Sequence, residues 1–204
     1  MAAHTRSGSR FALAALVLLC ALGPTRGAHA SDANLSLWRS LDWFRGAWEG
    51  REEGMLGPGH TIRCTQDVFG GRFLLVRTRI AIDTSDAPRP LEDFETWQVF
   101  ARDPDSGRIT VDQYESGGYH RRFELDEATS RPDRMRFVSR DLGDAATGRA
   151  GSMILRVIRG NRYEEELRLG EDAEALQRIR RSRWSRSEKA RCDAGAFRLP
   201  DPEG

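Results

Sequence analysis

Lysine, histidine and cysteine are scarce in this chain of 204 residues. Lys189 is the only lysine, and the chain has four histidines and three cysteines. Neither a His-Glu-x-x-His nor a Cys-x-x-Cys motif occurs, so the sequence does not support a zinc site. It also has no Gly-x-Ser-x-Gly motif, the usual signature of a serine nucleophile. We therefore predict no catalytic residue and no metal site.

Charge of one sign is not in excess either. The chain carries 32 basic residues, nearly all arginine, against 31 acidic residues. A near-neutral protein provides no field that would hold a polyanion, so nucleic acid is not an expected partner.

The N-terminus differs in character from the rest of the chain. Arg6 and Arg10 precede an apolar run at residues 11–23, and an Ala-His-Ala sequence follows at residues 28–30. These are the three regions of a secretory signal peptide. The run is shorter than the roughly 20 residues that span a bilayer, so we expect no stable membrane span after cleavage. The prediction is an exported protein, periplasmic or extracellular, with a signal peptide at residues 1–30.

The cysteines are placed unevenly. Cys20 lies in the predicted leader, where lipid attachment is an alternative to cleavage, and the mature chain keeps Cys64 and Cys192. An even pair in an oxidising compartment predicts a disulfide, here one that joins the C-terminal tail to an early strand. Free thiols remain open, because a sequence does not show whether two Cβ atoms come within reach.

Most of the chain alternates with period two and is interrupted by turn residues such as "GPGH", "FGGR" and "RGNR". Leu35, Leu37, Trp38, Leu41 and Phe44 precede this region at a spacing that predicts a short helix packed on the fold. Sequential short strands with almost no helix indicate a sandwich or a closed meander. The predicted strands are residues 46–53, 60–68, 72–82, 92–102, 108–115, 119–126, 134–140, 152–158, 162–169 and 176–185.

Several of these strands carry apolar residues on both faces. In the third strand, Leu74 and Val76 stand on one face while Phe73 and Leu75 stand on the other. A strand that buries part of both faces suits a barrel with mixed side chains or a ligand inside and partial cover outside. We therefore predict an all-β fold, an antiparallel barrel of about ten strands at residues 31–186, followed by an irregular tail at 187–204.

The stretch "GAWEG" resembles the opening of the calycin barrels, which include lipocalins and fatty-acid-binding proteins. It places Gly46 and Trp48 at the start of the first strand, directly after the predicted helix. The resemblance implies that Trp48 closes one end of a calycin-like barrel and that an arginine of the last strand lies over it. The matching feature is one of the arginines in "LQRIRRSRWSR" at residues 176–186, with Arg181 or Arg183 favoured. A cation over an indole face contributes about 0.5–2 kcal/mol.

Three longer motifs resemble bacterial lipocalin-like domains of unknown function. They are the L-x-x-x-x-G-x-W-x-G pattern at residues 41–50, "GGRFLL" at 70–75 and "DPDSGRITVDQYESGG" at 103–118. Nitrobindin-type haem-binding barrels are a more distant similarity, and they hold haem through a histidine on the closing strands. The mature chain offers only His60 and His120, away from those strands. No cofactor is expected, and haem on one of these histidines is the alternative.

One carboxylate is predicted to point into the barrel. Glu165 shares a strand face with Tyr163 and Leu167, and a buried carboxylate needs a partner. Arginine and tyrosine could hold either this carboxylate or the carboxylate of a ligand. An internal network that satisfies itself is the alternative. The candidate ligand-binding residues are Arg77, Arg79, Tyr119, Arg121, Glu165, Arg178 and Arg180.

These features favour an exported, non-catalytic barrel that binds a small, partly apolar and anionic ligand. Two alternatives remain: a haem-binding, nitrobindin-like enzyme acting on reactive nitrogen species, and a structural or assembly protein of the envelope. The expected partner is a small molecule, and a homo-oligomer is considered as well.

Overall fold

The computed structural model describes residues 27–54, 57–82, 94–139, 150–188, 190 and 192. Residues 1–26 of the predicted signal peptide and most of the predicted tail lie outside the described residues. Among the helices of the described part, none is both long enough and apolar enough to cross a membrane.

A short helical segment comes before the strands. Helix α1 spans Gly27–Ser40, and a 3-10 helix follows at Leu41–Phe44. Leu37, Leu41 and Phe44 are buried against the barrel core, as the apolar spacing predicts. The 3-10 helix ends at Arg45, which is extended, and the chain then enters the first strand.

Ten antiparallel strands form a closed barrel in which each strand pairs with the next and the last pairs with the first. The all-β barrel with a short N-terminal helix, predicted from alternation and turn residues, is confirmed. Closure gives every described strand a neighbour on both sides, which limits exposed strand edges, a common site of aggregation; the weakest junction is between the sixth and seventh strands, which meet at only two register pairs. The strands are β1 Gly46–Gly54, β2 Gly57–Val68, β3 Phe73–Ile82, β4 Phe94–Arg102, β5 Ile109–Glu115, β6 His120–Leu125, β7 Arg134–Val138, β8 Ala150–Arg159, β9 Arg162–Gly170 and β10 Gln177–Arg186.

The apolar core fills the end of the barrel next to the 3-10 helix. Aromatic rings meet there edge to face: the Tyr163 ring centre lies 4.7 Å from that of Trp48 and 5.2 Å from that of Phe44. Phe100 joins this cluster at 5.6 Å from Phe44. Such pairs contribute about 0.5–1.5 kcal/mol each beyond the burial of their area. This end of the barrel is therefore a packed plug.

Strand β2 is buried on both faces, and its polar face points inward. Register places Arg63 opposite Trp48, so Arg63 lies in the interior while Cys64 lies outside. The chain beyond β10 covers this outer face: the Ser187 N–H donates to the Ala47 carbonyl at 3.0 Å. Cys64 and Cys192 form a disulfide with 5.4 Å between their Cα atoms. The bridge attaches the end of the chain to the barrel wall.

Candidate functional site

The closed end of the barrel is sealed by Arg186. Its guanidinium carbon lies 4.3 Å from the centre of the Trp48 ring, and its Nη2 donates to the Trp43 carbonyl at 3.0 Å. It also donates to the Arg45 carbonyl. A side chain at Gly46, where φ is +100°, would collide with Arg186. The positive φ favours glycine at this position, and a side chain there would have to displace the Arg186 guanidinium from its place over Trp48.

The prediction that Arg181 or Arg183 lies over Trp48 is wrong. Trp184 points inward, and because side chains alternate along a strand, its neighbours at odd positions point outward. Arg181 instead donates a hydrogen bond to Glu164 at 2.6 Å, and Arg183 contacts Glu53 at 3.3 Å. Both contacts lie outside the barrel. Arg186 shares the inward face with Trp184 and lies opposite Trp48 in register.

A buried ion pair lies above the aromatic plug. Arg63 and Glu165 contact each other, and each side chain is only 1% exposed. Arg63 also donates to the Thr78 hydroxyl at 2.8 Å and to the Tyr163 hydroxyl at 3.0 Å. Its guanidinium carbon lies 4.2 Å from the centre of the Trp184 ring. These partners satisfy a cation that could not otherwise be buried.

Burial and neighbouring charges together shift the pKa values of the interior acids. Burial opposes ionisation of Glu165, but Arg63 and Arg180 outweigh it and lower the pKa of the carboxyl. Burial raises the pKa of the Tyr163 hydroxyl, which stays protonated. Burial also raises the pKa of Glu52, a carboxyl toward the barrel end opposite Trp48, against the opposing effect of Arg180. The interior therefore holds one firmly ionised and one reluctantly ionised carboxylate.

Glu165 is the centre of a polar belt that crosses the barrel interior. Arg180 donates to its carboxylate at 3.3 Å, and the Gln98 amide approaches the same oxygen at 3.5 Å. On the β1 side, the Ser182 hydroxyl donates to Glu52 at 3.2 Å. We define the polar belt as Glu52, Arg180, Glu165, Gln98, Gln113, Glu115 and Arg121.

The other half of the belt leads to the β5–β6 turn. The Gln98 amide donates to the side-chain oxygen of Gln113 at 3.0 Å, and Gln113 donates to Glu115 at 2.6 Å. Arg121 then donates to Glu115 at 2.9 Å. Hydrogen bonds thus run from β10 to β6 through the interior.

Exposure rises along the belt from its centre to its ends. Glu165 is 1% exposed, whereas Glu52, Arg180, Glu115 and Arg121 are 10–12% exposed. These four side chains lie toward the barrel end opposite Trp48. Solvent therefore reaches the belt from that end.

We call the half of the barrel interior opposite Trp48 the upper interior. Three buried polar atoms there have no hydrogen-bond partner within the described part of the chain. They are Gln98 Oε1, Thr96 Oγ1 and Arg180 Nε. A buried polar atom without a partner costs about 1–3 kcal/mol, so such atoms mark where a ligand or a bound water would form hydrogen bonds. The three atoms combine donors with an acceptor and suit a polar ligand group.

The predicted ligand residues fall into two groups. Arg121, Glu165 and Arg180 belong to the polar belt, and Tyr119 is half exposed at its rim, 5.7 Å from the Arg121 guanidinium. Their contacts agree with an interior site but do not test its occupancy. The second group, Arg77, Arg79 and Arg178, lies on the outer face.

Alternation explains the outer placement of Arg77 and Arg79. Both are flanked on β3 by the inward-facing residues Val76, Thr78 and Ile80, which are fully buried. Arg77 packs over the Trp97 ring at 4.8 Å, outside the barrel. For Arg178 the reason is different.

A bulge separates Arg178 from Arg180 on β10. Arg178 pairs in register with Arg168, which faces outward, whereas Arg180 pairs with the inward-facing Leu167. The extra residue, Ile179, changes the alternation, so two arginines that strict alternation would put on one face point in opposite directions. Sequence analysis did not detect this bulge.

Arg63 is the most buried charged residue of the interior that was not predicted from the sequence; Glu52, Gln98, Gln113 and Glu115 of the polar belt were not predicted either. Ile62 and Cys64 made the other face of β2 look like the buried one. The available signal was the hairpin register, because pairing Trp48 with Arg63 puts both on the same face.

Both candidate haem-ligand histidines lie on the outer face. His60 is exposed on β2, and His120 contacts Asp112 at 3.1 Å and stacks on Tyr114 at 4.7 Å. Neither can ligate a group inside the barrel. The described residues contain no cluster of His, Cys, Asp or Glu that could hold a metal ion.

No protein-family model and no curated protein sequence matches the chain. Among solved structures, Rv2717c from M. tuberculosis is similar with a TM-score of 0.51 and 15% identity, covering 74% of this chain and 97% of that one. The S-type phycobiliprotein lyase CPES from Guillardia theta has a TM-score of 0.45 and 7% identity, covering 78% and 98%. At 15% identity the similarity to Rv2717c shows a shared barrel fold alone. The relation to nitrobindin-type barrels stays a prediction.

Proposed function

We propose that this protein is a non-catalytic barrel that binds a small, partly apolar and anionic molecule in its upper interior. The observation that carries the proposal is the polar belt, beside which buried atoms of Gln98, Thr96 and Arg180 have no hydrogen-bond partner among the described residues. A ligand pocket of this kind combines apolar walls with a few polar groups that fix orientation. Here Ile80 and Leu167 supply apolar wall beside the belt.

The charge balance of the interior indicates where the anionic group binds. Arg63 is fully engaged by Glu165, Thr78 and Tyr163, so it cannot take a ligand without breaking the buried network. Arg180 is closer to the barrel end opposite Trp48. Besides Glu165, its carboxylate neighbour is Glu52 at 3.9 Å. Because burial favours protonation of Glu52, a ligand anion can replace it at Arg180.

The experiment measures binding of a partly apolar anion, 1-anilinonaphthalene-8-sulfonate, by fluorescence and native mass spectrometry. We expect Arg180→Ala to weaken binding by about tenfold or more. The matched control is Arg178→Ala, two residues away on the outer face, which should bind like the wild type. Equal affinities for the two variants would contradict the proposal.

Extraction of the native protein tests the same site without a chosen probe. A defined small molecule released on denaturation would name the ligand class. A clean apo mass with no probe binding would instead favour the structural role, especially with a concentration-dependent mass. No observation favours the haem alternative, since His60 and His120 face outward; a Soret shift on haem titration would revive it.

We also propose that the protein is exported. The N-terminal pattern supports this, as does the Cys64–Cys192 disulfide, because such bonds persist in oxidising compartments. Cell fractionation with N-terminal sequencing of the mature protein tests it. A mature chain that starts near residue 31 is expected, and recovery of the intact leader in the cytosolic fraction would contradict it.

A further inference from the structure

A groove of about 330 Å³ lies on the outer face of β7, β8 and β9, outside the barrel wall. Residues of β7, β8 and β9 form its floor, and the loops that follow β6 and β9 contribute Thr129 and Leu176. No residue of the polar belt contributes to it. Its lining includes Arg134, Arg136, Ser152, Ile154, Arg168 and Leu176.

The groove is rich in arginine. Arg134, Arg136 and Arg168 line it, and Glu174 is the acidic residue among the described lining residues. Two of the arginines have carboxylate partners: Arg136 contacts Asp126 at 3.5 Å, and Arg168 contacts Glu166. Both of these arginines are still a third or more exposed, so their remaining N–H groups are accessible to a ligand.

Arg134 is different, because its Nε is buried without a hydrogen-bond partner among the described residues. It is also in no ion pair that the described part of the chain contains. A partly buried guanidinium without a carboxylate partner is stabilised by a bound anion more than its already paired neighbours are. The guanidinium fork suits the oxygens of a carboxylate or a phosphate.

Ser152 provides a second, independent indication of a ligand. The residue is 1% exposed, lines the groove and has a hydroxyl that meets no partner in the described structure. In register it lies between Val138 and Arg168 on the outer face. Because a buried hydroxyl without a partner is costly, its presence at the floor of a groove indicates an acceptor supplied from outside.

We infer that this groove is a second binding site, which takes a small organic oxyanion. The oxyanion accepts hydrogen bonds from Arg134 and Ser152, with Arg168 at the edge, while Ile154 and Leu176 contact an apolar part. The volume exceeds that of a free inorganic anion, which favours an anionic group attached to a small organic body. The site does not depend on the interior ligand.

The test titrates the folded protein with phenyl phosphate, benzoate and neutral phenol, followed by calorimetry and by backbone amide shifts. Both anions should bind, with shifts at Ser152 and Arg168, and phenol should bind at least about tenfold more weakly. The ratio between the two anions distinguishes a phosphate site from a carboxylate site. Binding should weaken with salt, since the site is partly exposed.

Two variants locate the site. Arg134→Ala should weaken anion binding by about tenfold or more, and Ser152→Ala by about threefold or more. The control Arg159→Ala removes an exposed arginine of β8 that does not line the groove and should have no effect. Arg180→Ala should leave the anion-induced amide shifts at Ser152 and Arg168 unchanged, because Arg180 does not line the groove, and this separates the site from the interior one.

Three results would overturn the inference: equal affinity for the anions and phenol, unchanged binding by Arg134→Ala, or no saturable binding of either anion. If a variant folds poorly, the amide shifts of the wild-type protein still locate the bound anion. Shifts confined to the polar belt would assign the anions to the interior and also reject the groove.

Discussion

The Arg186 guanidinium lies 4.3 Å from the centre of the Trp48 ring and donates hydrogen bonds to the carbonyls of Trp43 and Arg45. One side chain of the last strand thus joins the first strand to the 3-10 helix. The plug and the closure of the barrel are therefore one cooperative unit.

Arg186→Ala should lower the free energy of unfolding by about 2 kcal/mol, because it removes a cation–π contact and two hydrogen bonds. Urea denaturation followed by tryptophan fluorescence measures the change. The control is Arg183→Ala, an exposed arginine of the same strand whose ion pairs lie outside the barrel. Its loss should cost about 0–1 kcal/mol, and a larger cost than that of Arg186→Ala would contradict our account of the closure.

Breaking the buried ion pair should be far more damaging than removing it. Glu165→Leu leaves the Arg63 charge buried with no carboxylate, so we expect a loss of about 3–5 kcal/mol. The double variant Arg63→Met with Glu165→Leu should recover most of this loss, because the Arg63 charge is gone and Arg180 keeps Glu52 as its carboxylate neighbour. A double-mutant cycle in urea measures the coupling, and additive effects would mean that the pair is not an interacting unit.

Glu165 and Glu52 should give opposite pH dependences. The pKa of Glu165 is lowered, so its stabilisation is present above its unfolded pKa and is lost as pH falls through the folded value. The pKa of Glu52 is raised by burial, so stability falls as pH rises through its folded value. Glu52→Gln should therefore stabilise the protein at neutral pH and change little in acid, where Glu52 is already protonated. Urea midpoints across pH check this, and a destabilised Glu52→Gln at neutral pH would refute it.

The Cys64–Cys192 disulfide closes a segment of 128 residues in sequence separation. In the chain-entropy model a loop of this length contributes about 4–5 kcal/mol. Cys192→Ser should lower the free energy of unfolding by a few kcal/mol and leave the barrel folded. Intact mass before and after reduction provides the control, because the unreduced wild type must lack two hydrogen atoms relative to the reduced protein. Full alkylation of Cys64 without a reductant would show that the bond does not form.

The strands could be predicted because their signals are local. Glycine-bearing turns and period-two alternation place the ten strands within about three residues of their observed ends. The disulfide and the inward position of Glu165 also agree with the structure. Each follows from residue type and strand face rather than from distant contacts.

The faces of β2 and β10 could not be predicted from their own residues. On β2 the apolar face lies outside, because the C-terminal tail covers it. On β10 the bulge before Arg180 separates it from Arg178, and Arg186 replaces the expected Arg181 and Arg183 at the closure. A bulge moves the residues after it to the opposite face, and a covering segment buries a face that points outward. Neither can be read from the apolar pattern of the strand's own residues.

The amino-acid sequence by itself determined an all-β meander with a short helix before its first strand, because turns and alternation depend on neighbouring residues. Only the tertiary structure decided which polar residues meet. Arg63 and Glu165 are separated by 102 residues, and the antiparallel register of a closed barrel brings them together. Closure fixes the position of every strand around the barrel, and no local pattern records which opposing side chains then face each other across the interior.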